Sequence, residues 1–432
     1  MARGGTGRDQ NRASSDRAHL GLASTVALAW VLALVAKTHA LVPGHPNWSK
    51  PWDHQKYAAL AAHPFDMPVA PFRWRLLVPL MAKALPFGQA TSFRLLTIVA
   101  VWLTAVAMFV LLRRIGFNAR LAGVGMLLFL TFGWLTGYPL YNIWLPDAMV
   151  CLVIVLLAIA ALDRRPVVFA VLLLTGALMK EQVLIAAPLW YTLTTNRLVD
   201  RRRMLTTALL SLPALIALAG LHLLLPAGPI NTPDLTQAGL ALNKWDLLPQ
   251  SPGVLFATFG RSRVLTYPVL AANWTVGAFG TIPLLALCAA RKNARIALRW
   301  APYLAAVYLQ PMFASNTKRL IALAFPVMVI MALHGIVAIR ARLRLHHSVA
   351  IAIPLVLLAP DYLSRTNIRF PIECLNLTAL FLISIAASRL SDRHGARIRT
   401  WVARVSNRSL EPHAERPSAS RCCQVELTAG LN

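Results

Sequence analysis

Two aspartates lie in contexts where a carboxylate can do chemistry. Asp53 follows a Pro-Trp turn and opens a short amphipathic stretch with Tyr57, in HPNWSKPWDHQKYAALAAHPFDMP at 45–68. Asp147 follows a proline in YPLYNIWLPDAMVCL at 138–152. A carboxylate can accept the proton of a hydroxyl group or bind a divalent cation. The alternative for Asp147 is that it only complements the positive end of the helix that begins there.

Basic side chains recur in three short segments. One has two arginines on either side of a tryptophan, one has Lys180-Glu181 inside an apolar run, and one reads SNTKRLIALAFPV. Arg and Lys bind phosphate groups, and Arg does so through a bidentate fork. Structural roles compete with this reading, because Lys180 and Glu181 could satisfy each other and the last pair could snorkel at a helix end. The basic candidates are Arg73, Arg75, Lys180, Lys318 and Arg319.

The composition indicates a membrane protein. Of 432 residues, 57% are hydrophobic and 14% are charged, and the mean hydropathy is +0.58. Soluble domains carry about 25% charged residues. This excludes a water-soluble enzyme, a disordered chain and a nucleic-acid-binding domain. The net charge is +27, from 43 Lys and Arg against 16 Asp and Glu. Membrane topology is the first explanation for this excess, because the cytoplasmic loops of membrane proteins are enriched in Lys and Arg.

The elements that must position these side chains are apolar runs of membrane-spanning length, since a bilayer core needs about 20 apolar residues. The first run follows a basic N-terminus but continues without a clear cleavage site, so we interpret it as a membrane helix. The predicted spans are 20–41, 91–112, 120–139, 146–162, 204–225, 265–290, 300–314, 320–339, 348–360 and 374–388.

The apolar segment 166–194 is interrupted at its centre by Lys180-Glu181. Arginines lie on both of its flanks, and basic flanks favour the cytoplasm. The segment is therefore predicted to be a hairpin with the Lys-Glu pair at its apex. Each arm of about 14 residues is roughly 21 Å long, so the apex would lie below the far surface. A helix break at that depth needs protein or water around it, which makes the apex a candidate site.

Together these segments predict an all-α polytopic membrane protein with about 12 transmembrane helices (10–13) and both termini in the cytoplasm. The membrane domain would cover 20–389, between basic tails at 1–19 and 390–432 that we expect to be flexible. Two long extracytoplasmic loops are predicted at 42–90 and 226–264. The first should contain short helices that lie on the membrane surface, anchored by Trp and Arg.

The order of these motifs resembles that of the GT-C superfamily of membrane glycosyltransferases, in particular its bacterial members, over roughly residues 20–340. Each motif is weak alone, and their joint order carries the resemblance. The matching motifs are Asp53 with Tyr57, APFRWRLLVPL at 70–80, LPDAM at 145–149, GALMKEQ at 176–182 and NTKRLIALAFP at 316–326.

The resemblance implies an inverting transfer of a sugar from a polyprenyl-phosphate-linked donor to an acceptor hydroxyl of a glycan, lipid or protein, on the extracytoplasmic face of a bacterial inner or plasma membrane. Asp53 matches the first-loop acidic residue, the proposed general base. Asp147 matches a second acidic position, which supports the site or a metal. Whether Mg²⁺ or Mn²⁺ takes part is left open, with Asp53 and Asp147 as its ligands if it does.

The resemblance further makes the basic candidates the binders of the donor phosphate, with Arg73 and Arg75 the best placed. Glu181 would orient Lys180, while His54 and Tyr57 would have supporting roles.

The chain departs from the family pattern in two places. Many members have a paired acidic motif in the first loop, whereas Asp53 is followed by His54, so Asp66 is an alternative base. No large C-terminal periplasmic domain is predicted either.

Three other functions remain open at this point. A transporter or flippase for lipid-linked or phosphorylated sugars would use the same cations, but is expected to place charges deep in several spans. The second is a membrane acyltransferase or an enzyme of the O-antigen ligase type. An acyltransferase would be expected to place a membrane-embedded histidine in a catalytic loop, and His45, His54 and His63 all lie in the first loop. The third possibility is a non-catalytic homologue.

Overall fold

A computed structural model of the chain describes residues 6–50, 52–65, 69–195, 199–225 and 251–343, with 352–353, 356–357, 374–380 and 382. The chain divides into two compact units, Met1–Phe381 and Leu382–Asn432. The predicted tail 390–432, most of the loop 226–264, most of the predicted span 348–360 and most of the second half of the predicted span 374–388 lie outside the described residues.

Every regular element in the described ranges is helical, as predicted. The α-helices are α1 (Thr6–Lys37), α2 (Asp53–Ala62), α3 (Leu77–Ala84), α4 (Gln89–Ile115), α5 (Ala119–Leu130), α6 (Gly137–Tyr141), α7 (Asp147–Leu162), α8 (Pro166–Met179), α9 (Pro188–Thr194), α10 (Arg201–Leu224), α11 (Pro252–Leu255), α12 (Tyr267–Phe279), α13 (Ile282–Leu287), α14 (Ala290–Arg299), α15 (Ala301–Leu309), α16 (Thr317–Ile321) and α17 (Phe325–Leu343). Short 3-10 helices are Phe72–Trp74, Glu181–Ala186, Gln310–Met312 and Ala322–Ala324, and a π-helical turn covers Phe256–Gly260.

Among the described residues, four helical segments are long and apolar enough to cross a membrane: Ser15–Lys37, Gln89–Ile115, Arg201–Leu224 and Thr317–Leu343. The helices α5, α7 and α8 are apolar but shorter. An all-helical membrane protein is therefore supported, while the number of about 12 crossings stays a prediction.

The turn between α4 and α5 follows from three consecutive residues. Gly116 ends α4 with a positive φ of 105°, a conformation that glycine adopts without steric cost. The amide of Phe117 then donates to the carbonyl of Leu112, which satisfies the end of the helix. Asn118 caps α5 by accepting a hydrogen bond from the amide of Leu121. These contacts reverse the chain, so α4 and α5 pack together.

The chain also reverses at Lys180, where the predicted hairpin is observed. The helix α8 ends there, and Lys180 itself has an extended backbone with φ −167°. The returning segment packs on α8, because the ring of Trp190 lies 5.3 Å from that of Phe169 near the start of α8. At the apex, a Cβ on Gly176 would lie 2.6 Å from a methyl carbon of Val183, so glycine is what permits this close packing.

Some predicted boundaries and surroundings differ from the structure. The helix α1 already begins at Thr6, inside the range predicted as a tail. The span predicted at 265–290 is divided between α12, α13 and the start of α14, with Gly280 at the first break. The first-loop helix α2 was expected to lie on a surface, but residues 54–57 are all buried. Four consecutive buried residues cover the whole circumference of a helix, so α2 is enclosed by protein.

Candidate functional site

Asp53 is the first residue of α2, where its negative charge complements the helix dipole. Its side chain is 22% exposed, whereas those of the following residues are buried. Behind it, His54 is held by a 2.8 Å hydrogen bond between its Nε2 and the carbonyl of Trp48, and the two rings are 4.7 Å apart. The buried neighbours fix the helix, and the aspartate is left at the accessible end.

Asp147 is the first residue of α7, and Pro146 stands at its N-cap. Its Oδ1 accepts a 2.5 Å hydrogen bond from Nζ of Lys180 at the hairpin apex. The two side chains are only 8% and 2% exposed. A charge in so dry an environment is tolerated only when it is paired, so each of these residues requires the other.

Arg319 connects the two aspartates. It lies in the short helix α16, and its side chain is 11% exposed. Its Nη2 is 3.3 Å from Oδ2 of Asp53, and its Nε is 3.4 Å from Oδ2 of Asp147. Asp53 and Asp147 therefore share one guanidinium, which Arg319 brings to Asp53 from 266 positions away in the sequence.

Arg75 forms a second ion pair beside the first. Its Nε and Nη2 donate to the two carboxylate oxygens of Glu181, a bidentate arrangement, and its Nη1 donates to the hydroxyl of Tyr57 at 3.1 Å. Burial raises the pKa of the Tyr57 phenol above its ordinary value, although Arg75 opposes this. Tyr57 therefore keeps its proton at neutral pH and is not a base.

The 3-10 helix before Arg75 is anchored to the end of α10. The ring of Trp74 stacks on His222 with a centroid separation of 3.6 Å, and its Nε1 donates to the carbonyl of Leu225 at 3.0 Å. The first loop is thus tied to the helix that precedes the second predicted loop.

These contacts define an ion network of three carboxylates and three cations. Its formal charge is zero when all six are ionised. A phosphate that entered it would have to take a cation away from a carboxylate. The pairs of Arg319 are the longest in the network, so Arg319 is the easiest to release. The ion network consists of Asp53, Arg75, Asp147, Lys180, Glu181 and Arg319.

Four of the candidate residues form one connected group of ion pairs, and Arg75 pairs with Glu181 beside that group. Glu181 was expected to orient Lys180, whereas its direct partner is Arg75. Arg75 was expected to be well placed for phosphate, but it is buried and bonded to Glu181 and Tyr57. The candidates in the connected group are Asp53, Asp147, Lys180 and Arg319.

The remaining candidates lie around the network. Arg73 is half-buried in the 3-10 helix before Arg75. Lys318 is exposed, and its aliphatic chain lies against Gly277 of α12, where a Cβ would be 2.8 Å from its Cε. Asp66, the alternative base, lies outside the described residues.

Two buried polar residues near the network were missed by the sequence reasoning. Lys56 is fully buried on α2, with Nζ 5.2 Å from the ring centroid of Phe72. Asn142, five positions before Asp147, is also fully buried. Polarity inside LYNIWLP, a run that is otherwise mostly apolar, was the one signal that could have pointed to Asn142.

The residues present do not fit a divalent cation held by both aspartates. Mg²⁺ and Mn²⁺ bind clustered oxygen ligands. Asp53 and Asp147 instead share the guanidinium of Arg319, which lies where a bridging cation would be. Among the residues that the structure covers, no group of three or more His, Cys, Asp or Glu side chains gathers.

Comparison of the chain with protein-family models, with curated proteins and with solved structures finds no match.

Proposed function

We propose that this protein is a membrane glycosyltransferase that moves a sugar from a polyprenyl-phosphate-linked donor to an acceptor hydroxyl on the extracytoplasmic face. The observation that carries the proposal is the connection of Asp53, an accessible carboxylate, through Arg319 to the buried pair of Asp147 and Lys180. A base for the acceptor and a cation for the departing phosphate are then neighbours, which is what direct displacement needs.

In the proposed reaction, the acceptor oxygen forms a bond to the anomeric carbon while the bond from that carbon to the phosphate oxygen breaks. The acceptor proton passes to Asp53, and the electron pair of the broken bond leaves with the lipid phosphate. Arg319 supplies the positive charge that stabilises the leaving phosphate, and Lys180 keeps Asp147 in place.

The order of events follows from the neutrality of the ion network. An incoming phosphate draws Arg319 away from Asp53, because its oxygens compete with the Asp53 carboxylate for the same N–H donors of the guanidinium. Asp53 is then released as a base only when the donor is bound. This arrangement limits unproductive proton transfer in the absence of donor.

The proposal includes the predicted topology. About 12 crossings, with both termini in the cytoplasm, would put α2 and the hairpin apex on the extracytoplasmic side. The helical break at Lys180 is compatible with membrane depth because protein surrounds it: Lys180 is 2% exposed.

The direct test uses purified protein in liposomes with a panel of radiolabelled polyprenyl-phosphate sugars and an acceptor lipid extract. We expect release of free polyprenyl phosphate from at least one donor. Asp53→Asn should remove that release, while the protein stays folded and in the membrane. Failure of every donor to release phosphate with the wild-type protein would contradict the proposal.

A flippase for lipid-linked sugars is the second candidate, favoured by one observation. Charged groups from α7, the hairpin apex and α16 are buried together in Asp147, Lys180 and Arg319, and such buried groups are typical of transport pathways. The same liposomes separate the two functions. A flippase would move the labelled lipid to the opposite leaflet without breaking its phosphate–sugar bond.

A further inference from the structure

The helix α14, with the sequence ARKNARIALR, has the most polarised surface of the described helices outside the ion network. Arg291, Arg295 and Arg299 are four residues apart and share one face, and Lys292 lies beside them. All four side chains are exposed. They form a continuous basic stripe along the ten-residue helix.

The opposite face of α14 is attached to the protein. Asn293 is buried, and its Nδ2 donates to the carbonyls of Ala286 at 2.5 Å and of Met331 at 3.0 Å. Ile296 and Ala297 on the same side are half-buried. These contacts fix the rotation of the helix, so the basic stripe has a defined direction.

A third face is apolar and exposed. Leu298 is 62% exposed and lies one turn beyond exposed Ala294. Leu287, at the end of the preceding helix α13, is 66% exposed. A helix with one face on protein, one apolar face open and a basic stripe between them suits the boundary between acyl chains and head groups.

The basic residues of α14 have no carboxylate to pair with in the described part of the chain. This contrasts with two arginines at the end of α4, where Arg113 pairs with Asp16 and Arg114 pairs with Asp163. The sequence from 247 to 360 contains neither Asp nor Glu. Anions that neutralise this stripe must therefore come from outside that segment.

The position of α14 agrees with a location at a membrane boundary away from the ion network. Asn293 of α14 donates to the carbonyl of Met331 in α17. Met331 is twelve residues beyond Arg319, which lies in the preceding helix α16. Three residues on, the ring of His334 is 5.0 Å from Phe117 in the α4–α5 turn. That turn is at the end of α4 opposite to Gln89, which donates to the carbonyl of Ala58 in α2.

We infer that α14 is an interfacial helix that binds the head groups of anionic phospholipids through Arg291, Lys292, Arg295 and Arg299. The partner is the anionic surface of the bilayer in which the protein is inserted. Basic residues near such a surface are attracted to anionic lipid head groups, so four of them together favour anionic over zwitterionic lipid. This inference does not depend on the proposed glycosyl transfer.

The test measures binding of fluorescent phosphatidylglycerol and phosphatidylcholine to the purified protein in neutral detergent. We expect the wild-type protein to prefer phosphatidylglycerol by roughly tenfold or more at low salt and to lose most of this preference at high salt. The variant R291Q/K292Q/R295Q/R299Q should bind both lipids equally. The variant R291K/R295K/R299K should retain the preference, because the charge is kept.

A matched control removes four exposed arginines elsewhere, in R164Q/R165Q/R201Q/R202Q. It should leave the preference unchanged. An equal loss in this control would mean that total charge attracts the lipid, and would overturn the assignment to α14. A wild-type protein without any preference for phosphatidylglycerol would also overturn it, and would direct the search to an acidic protein partner. Thermal unfolding of each variant establishes that it is folded.

Discussion

The guanidinium of Arg319 lies 3.3 Å from the carboxylate of Asp53, although 266 positions separate the two residues in the sequence. Asp53 is the proposed base and Arg319 is proposed to bind the phosphate, so the two functional groups are paired with each other. In the absence of donor, the ion pair therefore keeps Asp53 from acting as a base and keeps Arg319 from binding phosphate.

The first prediction follows from this competition. Asp53→Asn should bind polyprenyl phosphate more tightly than the wild-type protein does, because Arg319 no longer has a competing carboxylate on that side. A net charge-assisted bond of ~1.5 kcal/mol corresponds to about tenfold in affinity. Equilibrium binding of fluorescent polyprenyl phosphate would measure the change.

Glu181→Gln is the matched control, since it removes the same charge from the ion network without freeing Arg319. Its affinity for polyprenyl phosphate should rise less than that of Asp53→Asn. An equal rise in affinity in the two variants would show that phosphate binding depends on the total charge of the ion network. A lower affinity of Asp53→Asn than of the wild-type protein would contradict competition for Arg319.

The second prediction concerns catalysis. Loss of a general base lowers a rate by about 10²–10⁴-fold, so Asp53→Asn should lower sugar transfer by that factor although it binds lipid phosphate more tightly. Single-turnover transfer with a saturating labelled donor would separate the two effects. Retained activity would move the base to Asp66 or Asp147.

The third prediction concerns the buried pair of Asp147 and Lys180. Lys180→Met should destabilise the protein by up to about 3–5 kcal/mol, because the buried carboxylate of Asp147 loses its closest cation and keeps only the 3.4 Å contact with Arg319. The double variant Lys180→Met with Asp147→Leu should recover much of that loss, since it removes both charges together. Thermal unfolding of the single and double variants in detergent gives the coupling between them. Additive effects would mean that the pair does not act as a unit.

Much of this site was accessible from the sequence because charged residues are rare in apolar runs. Asp147, Lys180 and Arg319 each interrupt or begin such a run, and burying them separately would be too costly. Their meeting could therefore be expected. The hairpin was also predictable from charged residues, because arginines flank both of its ends and basic flanks favour the same side of a membrane.

The partner of Glu181 could not be read from the sequence. The order Lys180-Glu181 suggests a local pair, but the extended backbone at Lys180 directs successive side chains to opposite sides. Lys180 turns to Asp147 and Glu181 turns to Arg75. That direction depends on one φ angle, which hydrophobic periodicity does not report.

The burial of α2 was also beyond the sequence. Its stretch around His54 and Lys56 is polar, which is typical of a loop helix at a surface. In the fold it is enclosed, and the polar groups find partners such as the carbonyl of Trp48. Hydrophobic periodicity distinguishes the apolar face of a helix from its polar face, but it does not show that other parts of the protein also cover the polar face.

The fourth prediction concerns pH and His54. Burial lowers the pKa of His54 below its ordinary value of 6.5, while the hydrogen bond to Trp48 and the charge of Asp53 offset only part of the effect. As the pH falls through about 6.5, the unfolded chain therefore takes up a proton that the folded chain still excludes. The free energy of unfolding must fall as the pH is lowered below that value. Thermal unfolding between about pH 7.5 and pH 5.5 should show a smaller fall in His54→Gln than in the wild-type protein, and identical slopes would contradict the assignment.

The fifth prediction tests the packing of α13 against α17. A Cβ on Gly335 of α17 would lie 1.7 Å from the carbonyl oxygen of Leu285, so α13 and α17 approach closely only because this residue is glycine. Gly335→Ala should destabilise the protein by about 1–3 kcal/mol, because a backbone atom cannot rotate away as a side chain can. Gly220→Ala is the matched control. It lies inside α10 with no atom within 4 Å of the added Cβ, so the higher helix propensity of alanine should leave stability unchanged or raise it by up to ~1 kcal/mol. Equal unfolding temperatures for the two variants would show that α13 and α17 do not make this close contact.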